Sequence, residues 1–336
     1  MELILVKYPN IKSKLKALHS KRINLDDLND LIKQNSLKNL VLLLKSKSDI
    51  FKNADENIDR LEIESLLDES QIQDILKIKK LLHKKDRIIF EQFLLQYEIK
   101  CIKSMLRKLF SEDETDDIII KNVRRWTVYL FDDIKGIETV KSFKEFFGAI
   151  KRMKYSSVLN KYQNKETINI FEIENKIDKM YFESLFDSIK HNKNLKQIVG
   201  SEIDLLNVLW IYRLKKYYNF KSQEVRQILI NKTYMLKKAT MENLIKSSDF
   251  DEIKQIMKNT IYKKIFTNEE DFEDNIDKYL YSLNKKIFNQ DVTSIAYIFA
   301  YVNLIDYENN DIVNTIEGVR YNMEKEQILK RLAQAS

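Results

Sequence analysis

One helical segment occurs three times in this chain, and that recurrence limits the fold more than any other feature. Its middle copy is Glu202-Ile203-Asp204-Leu205-Leu206-Asn207-Val208-Leu209-Trp210-Ile211-Tyr212-Arg213-Leu214-Lys215. Ile203, Leu206, Trp210 and Leu214 follow a 3.6-residue period, the pattern of an amphipathic helix. Asp204 and Asn207, three apart, share another side of it. Glu98, Cys101 and Arg107 keep the same offsets in a first copy, and Asp311, Asn314 and Arg320 in a third. The acidic positions are 106 and 107 residues apart. A fixed period this long marks a repeated supersecondary unit.

Two further markers recur in the same order. Phe143, Phe146, Ile150, Tyr155 and Val158 stand 107 residues before Phe250, Ile253, Met257, Tyr262 and Ile265. Leu37, Leu40 and Leu44, behind the helix-starting Ser36, give the first copy of that face. Between this face and the acidic position lie Ile58-Asp59-Arg60, Ile177-Asp178-Lys179 and Ile276-Asp277-Lys278. Their offsets drift to 119 and 99, so loop lengths differ around this helix. Each copy reads as a short helix, a long amphipathic helix, then the helix with the acid. The copies place three helical repeats at 1–115, 116–222 and 223–336.

Four Gly and one Pro among 336 residues exclude a sheet-rich chain. Sheets need turn formers at every reversal. The expectation is an all-α protein. Asn24 reads as an N-cap before Leu25, with two helices between Asn10 and Lys33. The acidic run from Ser111 to Asp117 reads as a solvated loop. Tyr218 to Val225 reads as a turn into a new helix capped by Ser222. Phe220, Val225 and Leu229 keep the spacing of Met323, Ile328 and Leu332.

Composition narrows the function. The single Cys101 excludes a disulfide within the chain and fits a reducing compartment. Met1-Glu2-Leu3-Ile4 has no basic region followed by an apolar run. No segment reaches the roughly 20 apolar residues that span a bilayer; Thr293, Ser294 and Asn303 interrupt the nearest, Val292 to Ile305. A net charge of +7 fits a Lys-rich solvated surface, or attraction to an acidic partner. Lys121, Arg124, Arg125, Lys151, Arg152 and Lys154, with Trp126 and Tyr155 interleaved, form a candidate nucleic-acid patch. Tyr155 falls on the repeated apolar face, which argues against it.

No catalytic constellation emerges. His19, His83 and His191 form no metal-ligand spacing. The four Gly are not clustered into a phosphate loop. The repeated acid, amide and Arg do not make a site on one helix. At 100° per residue, an Arg nine positions on lies about 180° from the acid. A buried carboxylate and amide are costly unless paired, so Glu98, Asp204, Asn207, Asp311 and Asn314 read as joints that bond a neighbouring helix and fix its register. Arg107, Arg213 and Arg320 complete the repeated polar set.

Ile198-Val199-Gly200-Ser201-Glu202-Ile203-Asp204-Leu205-Leu206-Asn207, continuing to Arg213-Leu214-Lys215, resembles the Glu-x-Asp-x-x-Asn…Arg-x-Lys signature of the C subunit of archaeal and bacterial A/V-type ATPases, the counterpart of the d subunit in the vacuolar pump. Thr240-Met241-Glu242-Asn243-Leu244 followed by Asn259-Thr260-Ile261-Tyr262 is similar to the family's acidic-Leu helix and Gly-Thr-x-Tyr end, with Asn259 in place of Gly. Asp311-Ile312-Val313-Asn314-Thr315-Ile316-Glu317-Gly318 resembles its C-terminal motif, with Asp for the usual Glu. Tyr8 to Ile32 is similar only loosely to the family's first helix.

The resemblance implies a funnel of three similar helical domains about a pseudo-threefold axis. It implies a non-catalytic socket without cofactor, metal or small-molecule substrate. The socket joins the shaft made by the D and F subunits to the membrane rotor ring (c/K subunits) and carries torque for H+ or Na+ transport coupled to ATP. It implies a place on the cytoplasmic face, touching the membrane only through the complex, and no nucleic-acid partner. Leu209, Trp210, Ile211 and Tyr212 are candidate partner-facing residues, because their apolar arc is wider than one neighbour needs. The net positive charge would suit an acidic shaft or ring. A free-standing α-helical repeat scaffold for protein binding is the competing reading.

Overall fold

The computed structural model describes residues 9–55, 58–110, 116–162, 169–290 and 294–335. The chain's start, Glu112, Asp113, Glu114 and the Val292-Thr293 end of the apolar stretch lie outside them. The described residues are all-α, without a strand. The helices in order are α1 (Pro9–His19), α2 (Leu25–Ile32), α3 (Leu37–Lys47), α4 (Arg60–Leu81), α5 (Lys84–Lys108), α6 (Asp116–Leu130), α7 (Phe143–Ala149) and α8 (Ser156–Leu159). Then follow α9 (Ile170–Ser188), α10 (Lys193–Tyr218), α11 (Ser222–Ile228), α12 (Lys238–Lys246), α13 (Phe250–Met257), α14 (Phe272–Gln290), α15 (Ala296–Arg320) and α16 (Lys325–Lys330). The three acidic positions fall on α5, α10 and α15. Each follows another long helix: α4, α9 and α14.

Local chemistry explains where these helices begin and end. Asn24 caps α2, and Asp27 bonds back to the Asn24 N–H, so two orphan donors are satisfied reciprocally. Ser36, Ser142 and Asp249 cap α3, α7 and α13, each accepting the N–H three residues on. These are the repeated starts of the short apolar face. With few glycines available, Asn takes the left-handed turn after two long helices, Asn219 at φ 53° and Asn322 at φ 51°.

Three details differ from the sequence reading. Asp116 and Asp117 fall in the first turn of α6 rather than in a loop. Ser222 lies inside α11, and its hydroxyl donates to the Ile245 carbonyl instead of capping. Ile58 precedes α4, whereas Ile177 and Ile276 lie within α9 and α14.

Contacts divide the chain into two compact units. The larger contains the described residues of 1–81, 190–222 and 233–336. Its centre is α15, which packs on α14, α4, α2, α3 and the short 3-10 turn Ala333–Ala335. Every residue from Ala296 to Val302 is buried, because neighbours surround that half of the helix. α10 packs on α14, α15 and α12 in the same unit. The smaller unit contains the described residues of 82–189 and 223–232. There α5 lies against α6 and α9. Trp126 of α6 is buried and stacks on Tyr97 at 4.7 Å between ring centroids. Tyr155 is also buried, so the interleaved patch keeps its charges but not its aromatics at the surface.

Two glycines permit close crossings. A Cβ on Gly200 of α10 would stand 2.5 Å from the Tyr234 Cβ, and one on Gly318 of α15 would stand 2.5 Å from Ile328. Gly148 in α7 has open space at that position. Gly200→Ala should therefore lose about 1–3 kcal/mol of unfolding free energy through forced displacement of the crossing segment. Gly148→Ala should gain about 0.5–1 kcal/mol from helix propensity. Denaturant melts of the two variants check this. Equal effects of the same sign would contradict the crossing geometry.

Candidate functional site

The repeated carboxylates form the most distinctive polar feature of the structure. α10 brings Asp204 to full burial one turn beyond Gly200, on the side where the chain returns after α11. The returning segment is not helical at residues 234–236, so its N–H groups lack regular partners. Asp204 supplies them. Its Oδ1 accepts from the Tyr234 N–H at 2.9 Å. Its Oδ2 accepts from Met235 N–H at 2.7 Å and Leu236 N–H at 3.1 Å. The Tyr262 hydroxyl donates to the same Oδ2 at 3.0 Å.

The turn after α13 sets Tyr262. The Thr260 hydroxyl donates to the Met257 carbonyl at 2.7 Å and accepts the Tyr262 N–H at 3.2 Å. Burial pushes the Asp204 carboxyl above its ordinary range, and the four donors pull it back. The expected partner was a neighbouring helix. The actual partners are non-helical backbone and one tyrosine, since a helix interior has no free N–H to offer.

The other two acids vary the theme. Glu98 of α5 accepts from the Tyr155 hydroxyl, and burial raises its carboxyl above the ordinary range. Tyr155 stands 57 residues after Glu98, and Tyr262 stands 58 after Asp204. Asp311 of α15 accepts from the Ala333 N–H at 2.8 Å and the Gln334 N–H at 2.9 Å. Asn207 is buried beside Asp204, and Cys101 is buried on α5. Asn314 is half-buried.

The arginines point away from these acids. Arg107 makes a bidentate pair with Glu174 of α9, at 2.6 and 2.8 Å. Arg213 pairs with Glu273 of α14 in the same two-pronged way. Arg320 is exposed at the end of α15, over the ring of Tyr321. Arg107 and Arg213 are largely exposed, so each pair contributes on the order of 1 kcal/mol or less. The sequence reading missed these glutamates, although Glu174 and Glu273 each stand three residues before the Ile of the Ile-Asp-Lys marker.

Of the four candidate partner-facing residues, Ile211 and Tyr212 are core residues of this chain. Tyr212 packs against Phe250 and Phe272 and donates to Glu269. Leu209 and Trp210 are half-buried. Sequence reasoning also missed a polar cluster: Glu308 of α15 pairs with the buried Arg22 and hydrogen-bonds His19, at 2.7 Å each, tying the first helix to the centre of its unit.

These joints lie in a chain whose residues 11–331 match the profile described as ATP synthase (C/AC39) subunit. The chain belongs to the ATP synthase (C/AC39) subunit family. Relatives of this family member include the C subunit of the A-type ATP synthase of Methanosarcina acetivorans, 27% identical over 48% of this chain and 46% of that protein. The C subunit of the A-type ATP synthase of Pyrococcus horikoshii is 24% identical over 72% of this chain and 64% of that protein. The chain thus spans about half the length of the Methanosarcina relative and under two thirds of the Pyrococcus one. No helix of this family member, among the described residues, is long and apolar enough to cross a membrane.

Asp311 gives a pH test of the joint. Burial, with a smaller push from Glu308, raises its carboxyl from 3.8 to about 7, against the pull of the Gln334 and Ala333 N–H groups. The folded state therefore holds a proton that the unfolded chain has released. The stability associated with this proton is whole below pH 3.8 and is lost as pH rises through about 7. Asp311→Asn should make the fall in unfolding free energy between about pH 4 and 8 shallower. Glu202 and Asp277, also raised, keep part of the slope. Denaturant midpoints across that range decide it, and a slope identical to that of the unaltered protein would contradict the assignment.

Proposed function

We propose that the chain is the non-catalytic central-stalk socket of a rotary V-type ATPase. In this reading it joins the D–F shaft to the membrane rotor ring and carries torque for H+ or Na+ transport coupled to ATP. The observation that carries the reading is the family match over residues 11–331. The repeated joints support it. The acid of one copy bonds the tyrosine of the next in Glu98–Tyr155 and Asp204–Tyr262. The arginine of one copy pairs with the glutamate of the next in Arg107–Glu174 and Arg213–Glu273.

Such links suit three similar helical domains, read at 1–115, 116–222 and 223–336, in a funnel about a pseudo-threefold axis. A coupling that transmits torque must resist shear between its parts. Buried carboxylates holding backbone, long helices and few glycines all serve stiffness. The socket works on the cytoplasmic face, reaching the membrane only through the ring, and Leu209 and Trp210 remain its candidate shaft contacts.

Tagged chain should recover the D and F subunits from solubilised membranes, together with the rotor ring, and should not hydrolyse ATP by itself. Recovery of neither the shaft nor the ring would contradict the proposal.

A further inference from the structure

α6 turns one side to the core of its unit and the other to solvent. Val123, Trp126 and Thr127 are buried, and α6 lies against α5. Lys121, Arg124, Arg125, Val128 and Tyr129 stand at i, i+3, i+4, i+7 and i+8, which is one side of a helix. Lys121 and Arg124 are exposed, and Arg125 is half-buried. Val128 and Tyr129, at the C-terminal end of the same stripe, are 40% and 51% exposed. The stripe is about 12 Å long at 1.5 Å per residue.

The cations of this stripe have no carboxylate to meet. From Ile118 to Leu130 the helix contains no acidic residue. The next acids, Asp132 and Asp133, lie past its end in the 3-10 turn Asp132–Ile134. Arg125 donates to the neutral Asn122 side chain at 3.4 Å, and no carboxylate among the described residues pairs with Lys121, Arg124 or Arg125. Other cations of the same unit are neutralised. Lys103 and Arg107 of α5 pair with Asp178 and Glu174 of α9, and Lys176 pairs with Glu172. Lys121 stands three and four residues from Arg124 and Arg125, spacings at which like charges destabilise a helix. Stability of the helix therefore does not account for the stripe.

We propose that this outward stripe of α6 docks an acidic helix of the central shaft, with Lys121, Arg124 and Arg125 as its charged contacts and Val128 and Tyr129 as its apolar ones. The inference rests on the socket reading above and names the chemistry of its partner. Contacts at helical spacing suit one side of a partner helix. Asp or Glu on that helix would relieve the repulsion along the stripe and form charge-assisted bonds with the two guanidiniums. A lipid surface is a poorer occupant, because a helix enters lipid by a broad apolar face and that face of α6 is already buried. A nucleic acid is poorer too, because Trp126 and Tyr155 lie in the core and only Tyr129 is left on the stripe as a stacking platform.

The test measures binding of the purified full chain to the purified D–F pair, at about 50 mM and about 300 mM salt, where screening differs. The stripe variant carries Lys121→Gln, Arg124→Gln and Arg125→Gln together, since glutamine forms helix as readily. It should bind about tenfold or more weakly at low salt and lose most of the salt dependence, while melting no lower than the unaltered chain. Val128→Ser with Tyr129→Ser should weaken binding at both salt concentrations. A control with Lys14→Gln, Lys16→Gln and Lys21→Gln, exposed positions of the other unit, removes the same net charge and should change affinity by about twofold or less. Equal affinity and salt slope for the stripe variant and the unaltered chain, or an equal loss from the control, would overturn the inference and leave the socket reading intact. So would binding of phosphatidylglycerol vesicles or single-stranded RNA that the stripe variant loses while it keeps D–F. Failure of the unaltered chain to bind D–F would overturn both.

Discussion

Everything around α10 depends on one buried carboxylate having enough donors. Asp204 has no exposed surface, and an ionised carboxyl in such a place is tolerable only when its lone pairs are taken up. Three consecutive backbone N–H groups and one hydroxyl do that. The requirement acts in both directions. The segment 234–236 has no helix or strand to satisfy it, so it needs the acid as much as the acid needs it. Gly200, one turn earlier, lets the segment come close enough. Breaking such a buried pairing from one side costs about 3–5 kcal/mol, because the other side is left charged or unbonded. The crossing is therefore held in one register.

The three acids do not carry equal loads. Asp204 gathers four donors, Asp311 two backbone N–H groups, and Glu98 the Tyr155 hydroxyl. The difference follows from what each helix meets. α10 is crossed by the returning non-helical segment 234–236, and α15 by the short 3-10 turn Ala333–Ala335. The equivalent tyrosine after α7 reaches Glu98, and the one after α13 reaches Asp204, whereas Ser48 and Asp49 stand in that part of the first copy and offer no aromatic hydroxyl. Asp311 is held by the C-terminal turn in its place.

Much of this was legible in the sequence because it is periodic. The all-α class followed from the shortage of turn formers. The helix starts at Asn24 and Ser36 followed from residue chemistry at the edges of apolar runs. The acids were visible as repeated polar positions on apolar helices, and opposite sides for the acid and the Arg followed from helix geometry alone. Their partners were not legible. Backbone N–H groups leave no side-chain signature, so residues 234–236 carry no mark of their role. Tyr155 and Tyr262 were recognisable as core aromatics, but their hydroxyl donation depends on where a turn aims the ring. The width of the apolar arc on α10 also misled. Ile211 and Tyr212 were grouped with Leu209 and Trp210, but they belong to the buried side, because α13 and α14 bring Phe250 and Phe272 onto Tyr212.

The central claim is that a buried carboxylate holds irregular backbone as firmly as a helix would. Amide hydrogen exchange at Tyr234, Met235 and Leu236 tests it most directly. These amides lie outside any helix, yet the account predicts that they exchange as slowly as the core amides of α10, through opening of the whole unit. Exchange at the rate of an exposed turn, with α10 still protected, would contradict it.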